Sequence, residues 1–151
     1  MIIKSLDHLK LISNKIADKV SENDCIFLIG EIGVGKTTFT RYFINYLQKR
    51  EGIKETEVLS PTFNLLYEYD INSLKVMHYD LYRINKSKEL DRLGIFKDDL
   101  SSIKIIEWPE LVGPNLANRL ELHLKYSQKE NERELSFVGY GKWKDIKTNE
   151  L

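Results

Sequence analysis

The 151-residue chain has the length of a single domain able to bury its own core. Its 42% hydrophobic and 30% charged residues exclude collagenous, disordered and membrane-embedded classes. Lys plus Arg and Asp plus Glu both number 23, so no net basic field advertises a nucleic-acid partner.

The N-terminus carries Lys4, Asp7, His8 and Lys10 where an export signal would have an apolar core. Ser5 precedes Leu6, Leu9, Ile12, Ile16 and Val20, spaced by threes and fours, which predicts an amphipathic helix with Ser5 as N-cap. After the polar 21–24 stretch, the continuous apolar run over 25–29 reads as a strand buried on both faces. That run holds the lone Cys25, which has no partner for an internal disulfide and fits a reducing cytoplasm. Phe39, Tyr42, Phe43, Tyr46 and Leu47 continue in helical spacing to a stop at Lys49-Arg50-Glu51-Gly52.

Pro61 breaks regularity in Leu59-Ser60-Pro61-Thr62-Phe63, so a loop is expected there. Strands over 66–69 and 75–79 are then expected to pair as a hairpin about Asn72-Ser73. A short helix should run from Ser87 to Gly94, with another helical turn over 96–100. The apolar run 103–106 is the next strand and ends on Glu107-Trp108-Pro109. Leu120, Leu122, Leu124 and Tyr126 alternate with polar residues, which predicts a half-exposed strand, a turn over 127–132 and a return strand over 133–138. Residues 141–151 read as a loose polar tail behind a domain over 1–140. No apolar stretch approaches the ~20 residues that span a bilayer, so neither a membrane partner nor export is expected.

Gly30-Glu31-Ile32-Gly33-Val34-Gly35-Lys36-Thr37 fits G-x-x-x-x-G-K-[ST], placed after a buried strand and before a helix. Its glycines let consecutive N–H groups turn inward as an anion nest. The following helix adds its N-terminal N–H groups and the positive end of its dipole. Lys36 places a full charge at the β- and γ-phosphates, Thr37 offers a hydroxyl to Mg²⁺, and the Thr38 N–H is placed for the α-phosphate. A phosphate site of this kind needs a carboxylate at a neighbouring strand end to hold Mg²⁺, directly or through water. Asp80 and Glu107 each close an apolar run, and spacing does not rank them. His78 reads as a partly buried strand residue rather than a proton shuttle, and Trp108 either stacks on a base or a partner or packs over the edge of the core.

Asp91-Arg92-Leu93-Gly94 fits the D-x-x-G pattern of GTPases but lies in a charged helical stretch, and Asn85-Lys86-Ser87-Lys88 lacks the acid that guanine recognition needs. ATP is the expected nucleotide. A small-molecule P-loop kinase is the alternative, although the arginines at 41, 50, 83, 92, 119 and 133 do not cluster as a phosphoryl clamp would. A nucleotide-dependent binding module without hydrolysis is a third reading.

The P-loop, Ser60-Pro61-Thr62-Phe63, His78-Tyr79-Asp80-Leu81-Tyr82-Arg83, Glu89-Leu90 with Leu93-Gly94, and Glu107-Trp108-Pro109-Glu110 occur in the order and spacing of the bacterial TsaE proteins. The chain resembles that family over nearly its whole length. The resemblance implies a P-loop NTPase-like three-layer α/β fold with a mixed, mainly parallel sheet, antiparallel hairpins and flanking helices. It implies an ATPase accessory to threonylcarbamoylation of the adenosine beside the anticodon in tRNAs that read codons beginning with A. The implied partners are a TsaB–TsaD heterodimer and a TsaC-type enzyme, with tRNA met only through that complex. Carried over by position, Gly33, Val34, Gly35, Lys36, Thr37 and Thr38 hold the phosphates, Thr37 and Glu107 ligate Mg²⁺, and Asp80 lies at the nucleotide. Thr62 sits in a loop that senses the γ-phosphate, Arg133 matches a nucleotide-contacting arginine, and Ser5 falls near a base contact. Lys36, Asp80 and Glu107 are thus the implied catalytic set. Arg41-Tyr42 departs from the Arg-Gly of many relatives, a change expected to affect helix packing more than phosphate chemistry.

Overall fold

The computed structural model describes residues 1–97 and 102–151. These form one seven-stranded sheet in the order β1-β7-β6-β2-β5-β4-β3. Its centre is parallel: β2 (Cys25–Ile29) lies between β5 (Ser102–Glu107) and β6 (Arg119–Tyr126), and β5 lies beside β4 (Leu74–Asp80). The margins are antiparallel, with β3 (Leu66–Ile71) on β4, β7 (Arg133–Gly139) on β6, and β1 (Ile2–Ile3) on β7. The mixed, mainly parallel sheet and its hairpins match the expected class. The strand β1 was not anticipated, since two residues are too short to show a period. It forms because β7 offers an open edge, where Leu135 and Met1 exchange hydrogen bonds at 2.7 and 2.9 Å.

Helices α1 (Leu6–Lys19) and α2 (Lys36–Arg50) cover one face of the sheet. Ser5 caps α1 as expected, its Oγ accepting from the His8 N–H at 3.1 Å. Leu9, Ile12 and Ile16 of α1 and Phe39, Phe43, Ile44 and Leu47 of α2 pack on Ile26, Leu28, Val76, Ile105, Leu122 and Leu124. The buried Ser13 hydroxyl ties the two helices by donating to Phe39 O at 3.0 Å. Tyr42 packs at the margin of this core, with the Lys10 ammonium 5.9 Å from its ring centre. The opposite face buries Phe27, Tyr79 and Ile106 beneath Leu81, Ile84, Ile95, Val112 and the Leu90 of the short helix α3 (Lys88–Arg92). The helical turn expected over 96–100 falls largely outside the described residues.

Residues 141–151 are not loose. Short 3-10 turns at Gly141–Trp143 and Thr148–Glu150 carry Trp143 and Leu151 into the helix-covered core. Lys15 Nζ reaches Leu151 O at 2.7 Å, and Lys142 Nζ donates to Ser21 Oγ at 2.7 Å and pairs with the buried Asp24. The average polarity of the segment conceals these few apolar anchors, whose irregular spacing follows neither a helical nor a strand period. Trp143→Ala should therefore cost about 3–5 kcal/mol, read as a lower urea midpoint. An unchanged midpoint would show that the segment does not contribute to the core.

Candidate nucleotide site

Residues 30–37 leave the end of β2 and fold back over it before α2 begins. Two glycines explain why the loop can do so. A Cβ on Gly30 would collide with the Leu124 carbonyl of the adjacent strand, so only glycine admits that approach. Gly33 has φ +76°, a left-handed conformation, and its missing Cβ would stand 2.9 Å from the Tyr126 hydroxyl. That hydroxyl donates to Ile32 O at 2.8 Å, pinning the loop apex to the end of β6. The Arg133 guanidinium lies 4.6 Å from the centre of the Tyr126 ring. Val34 is buried and anchors the loop from below, so it offers a site only its backbone. Gly35 precedes α2 without a side-chain cap, which leaves the first N–H groups of the helix to an incoming anion.

A cleft of about 270 Å³ opens above this turn, lined by the loop, Thr37, Thr38, Thr62, Asp80 and Glu107 together with Ser60, Tyr82 and Trp108. Lys36 Nζ donates to the Gly30 and Glu31 carbonyls and stands 3.8 Å from the centre of the Trp108 ring. Burial pushes the Lys36 pKa down, and the nearby Glu107, Asp80, Glu110 and Glu31 carboxylates oppose that shift. Trp108 itself holds a left-handed backbone at φ +59°, a conformation that a non-glycine residue adopts at a cost in energy.

The two acids take different surroundings. Parallel register sets Asp80 beside Glu107, so both project from the same face at the carboxyl edge of the sheet. The Thr37 hydroxyl lies 3.0 and 3.1 Å from the two oxygens of the buried Glu107, and His78 Nε2 lies 2.8 Å from Oε1. Asp80 faces the 60–62 loop instead. Its Oδ2 accepts from Ser60 Oγ at 2.9 Å and Thr62 Oγ1 at 3.0 Å, and its Oδ1 accepts from the Tyr82 N–H at 3.0 Å. Among the described residues no group of three or more His, Cys, Asp or Glu could hold a metal alone.

Gly33, Gly35, Lys36, Thr37, Thr38, Thr62, Asp80 and Glu107 therefore meet in one cleft. Ser5 and Arg133 do not line it: Ser5 caps α1, and Arg133 approaches the P-loop through Tyr126. Asp91-Arg92-Leu93-Gly94 ends α3 and is also outside the cleft. Sequence reasoning passed over His78 as a partner of Glu107, although the period of two in His78-Tyr79-Asp80 was the available signal. It gave Tyr82 no role either, since its contact depends on the turn after β4.

A P-loop sheet with the loop after β2, and with neighbouring strands ending on acids, defines the class as a P-loop fold. YdiB from Bacillus subtilis has the same fold in its crystal structure, with a TM-score of 0.70 and 27% identity, covering 94% of this chain and 85% of that one. The chain belongs to the TsaE family, whose model, described as threonylcarbamoyl adenosine biosynthesis protein TsaE, matches residues 3–135. It is 32% identical over 139 residues to the tRNA threonylcarbamoyladenosine biosynthesis protein TsaE of Rickettsia felis, covering 91% of this chain and 78% of that protein. The protein of the same name from Bacillus subtilis is 30% identical over 148 residues, covering 96% of this chain and 88% of that protein. The match to the Rickettsia conorii protein of that name is 34% identical over 110 residues and spans 73% of this chain but only 61% of that protein.

The loop geometry is testable through Gly33. Gly33→Ala should destabilise the fold by about 1–2 kcal/mol, the cost of a left-handed L-residue, and adding Tyr126→Phe, which removes the close hydroxyl but also its bond to Ile32 O, should not restore the parent's stability. Urea unfolding measures both, and an alanine variant as stable as the parent would contradict the left-handed turn.

Proposed function

We propose that this chain binds ATP with Mg²⁺ and hydrolyses it as the accessory ATPase of tRNA threonylcarbamoyladenosine formation, working in the cytoplasm. Membership of the TsaE family supports the pathway, and no helix among the described residues is long and apolar enough to cross a membrane. The observation that carries the chemistry is the meeting of Lys36, Thr37, Asp80 and Glu107 in one cleft at the carboxyl ends of parallel strands.

The donor set fits Mg²⁺. Thr37 Oγ1 and Glu107 Oε2 are hard oxygens 3.1 Å apart, close to the ~3 Å between neighbouring ligands of an octahedron with bonds of about 2.1 Å. Mg²⁺ commonly binds through one or two protein groups and completes its shell with phosphates and water. Thr37 and Glu107 would hold it, and when bound it would neutralise charge on the β- and γ-phosphates. Lys36 adds a fixed positive charge there, and the N–H groups of residues 33–38 fix the phosphate chain against the helix end. A carboxylate offers about four lone-pair directions, and Asp80 spends three on Ser60, Thr62 and Tyr82. The remaining direction can orient a water on the γ-phosphorus. As the water oxygen bonds to phosphorus, the bond from phosphorus to the β–γ bridging oxygen breaks, one water proton stays on the phosphate formed and the other leaves to solvent, giving ADP and phosphate.

Lys36 is the single cation among the described residues lining the cleft. Without a second cation to meet the transition-state charge, hydrolysis by the chain alone should be slow. The same feature disfavours a small-molecule kinase, which would bring arginines onto the transferred group. Ile32 and Tyr82, which line the cleft, and Leu59 and Phe63, which flank its Ser60 and Thr62, are exposed, consistent with a partner surface closing over it. A TsaB–TsaD heterodimer is the proposed partner, with tRNA met through it.

Lys36→Ala should abolish ATP binding in titration calorimetry. Asp80→Ala should bind ATP and lose at least tenfold in phosphate release, while a variant that hydrolyses normally would remove Asp80 from the mechanism. Phosphate release should rise at least tenfold when the partner heterodimer and tRNA are added, and equal turnover alone and in complex would count against the accessory role. Reconstituted tRNA threonylcarbamoylation with and without this chain tests the pathway itself.

A further inference from the structure

We infer that His78 is a positioning residue for the Glu107 carboxylate, holding it by a hydrogen bond in the orientation that lets Glu107 and Thr37 share a divalent cation. The inference rests on the reading of Glu107 as a Mg²⁺ ligand and assigns that ligand its support.

His78 and Glu107 belong to adjacent parallel strands, with Asp80 opposite Glu107 and His78 opposite Ile105. His78 is therefore the diagonal neighbour of Glu107 on the face that also carries Asp80. Its side chain is fully buried and that of Glu107 is only 3% exposed, so water cannot fix the carboxylate in place of the ring. His78 Nε2 lies 2.8 Å from Glu107 Oε1. His78 Nδ1 is buried and has no hydrogen-bond partner among the described residues. A proton on Nδ1 would be stranded there at the full desolvation cost, so the ring carries its proton on Nε2 and donates it to Oε1.

The consequence is a division of labour between the two oxygens of one carboxylate. Oε1 is tied to the buried His78 ring and also lies 3.0 Å from the Thr37 hydroxyl, whereas among the described residues Oε2 has the Thr37 hydroxyl alone as partner, at 3.1 Å. Thr37 can turn its hydrogen away and offer its oxygen to a cation, but the histidine cannot. The ring thus prevents Glu107 from rotating with Thr37 and keeps Oε2 toward the cleft. A histidine present only to fill the core would have no need of a buried nitrogen without a partner.

The test uses the full chain and ADP, which is not hydrolysed, with calorimetry in EDTA and across a Mg²⁺ titration. In the parent, ADP should bind in EDTA and tighten as Mg²⁺ is added. His78→Leu should bind ADP in EDTA within about twofold of the parent yet need at least tenfold more Mg²⁺ for the same tightening, within the 10–100-fold range for lost outer-shell partners. His78→Gln, whose amide can donate to the same oxygen, should lie within about threefold of the parent. An unshifted Mg²⁺ response in the leucine variant overturns the inference, as does equal impairment of leucine and glutamine. A parent without any Mg²⁺ response overturns the metal role of Glu107 and the inference with it, a pattern distinct from the other two. Should the leucine variant fail to fold, ¹⁵N spectra of the parent still decide the matter: a proton on Nε2 is expected, and one on Nδ1 alone overturns the proposal.

Discussion

In-register parallel pairing of β4, β5 and β2 is the constraint on which the cleft depends. It sets Asp80 beside Glu107 and Glu107 beside Leu28, two residues before the P-loop opens at Gly30. A shift of one residue in either pairing would turn the acid into the opposite core, where Tyr79 and Ile106 now pack. The apolar alternation of these strands therefore fixes the chemistry as well as the fold. The same hydrophobic force that seats Val76 and Ile105 under α1 and α2 also delivers His78, Asp80 and Glu107 to the cleft.

The cleft concentrates charge where water is scarce. Lys36, Asp80 and Glu107 are all buried, and each would be costly alone. Their cost is met locally: Lys36 by two loop carbonyls, Glu107 by Thr37 and His78, Asp80 by two hydroxyls and an N–H. The partners differ in kind. Under the proposed function, Lys36 and Thr37 would exchange their present partners for phosphate and metal, while His78 and Tyr82 N are fixed by strand and turn. Under the proposed function, this separates the groups that must move from those that must hold still.

Ser60 and Thr62 line the cleft and both donate to Asp80, and Phe63 next to them is 81% exposed. A partner that orders Phe63 would act on the acid through two short hydroxyl bonds. Under the proposed function, stimulation by a partner would need no large rearrangement of the sheet, since Asp80 and the 60–62 loop are already one hydrogen-bonded unit. Arg133 and Tyr126 give the P-loop apex a second external handle from the opposite edge.

By itself the sequence determined the phosphate loop, the helices beside it, the buried strands and the two acids at their ends, because each rests on local spacing and on glycine's backbone freedom. It also carried the family resemblance that Asp80 and Glu107 alone would not have provided. It did not show β1, whose two residues have no period, or the packing of Trp143 and Leu151, whose anchors are irregularly spaced in a polar segment. Nor did residue spacing pair the side chains of the site with one another. That Glu107 faces Thr37 while Asp80 holds Ser60 and Thr62, that Arg133 reaches the loop through Tyr126, and that His78 supports Glu107 were decided only by the tertiary structure. Apart from the Arg133–Tyr126 pair across one hairpin, these contacts join residues well separated in the chain, and strand order and register, which local sequence does not encode, determine which of them meet.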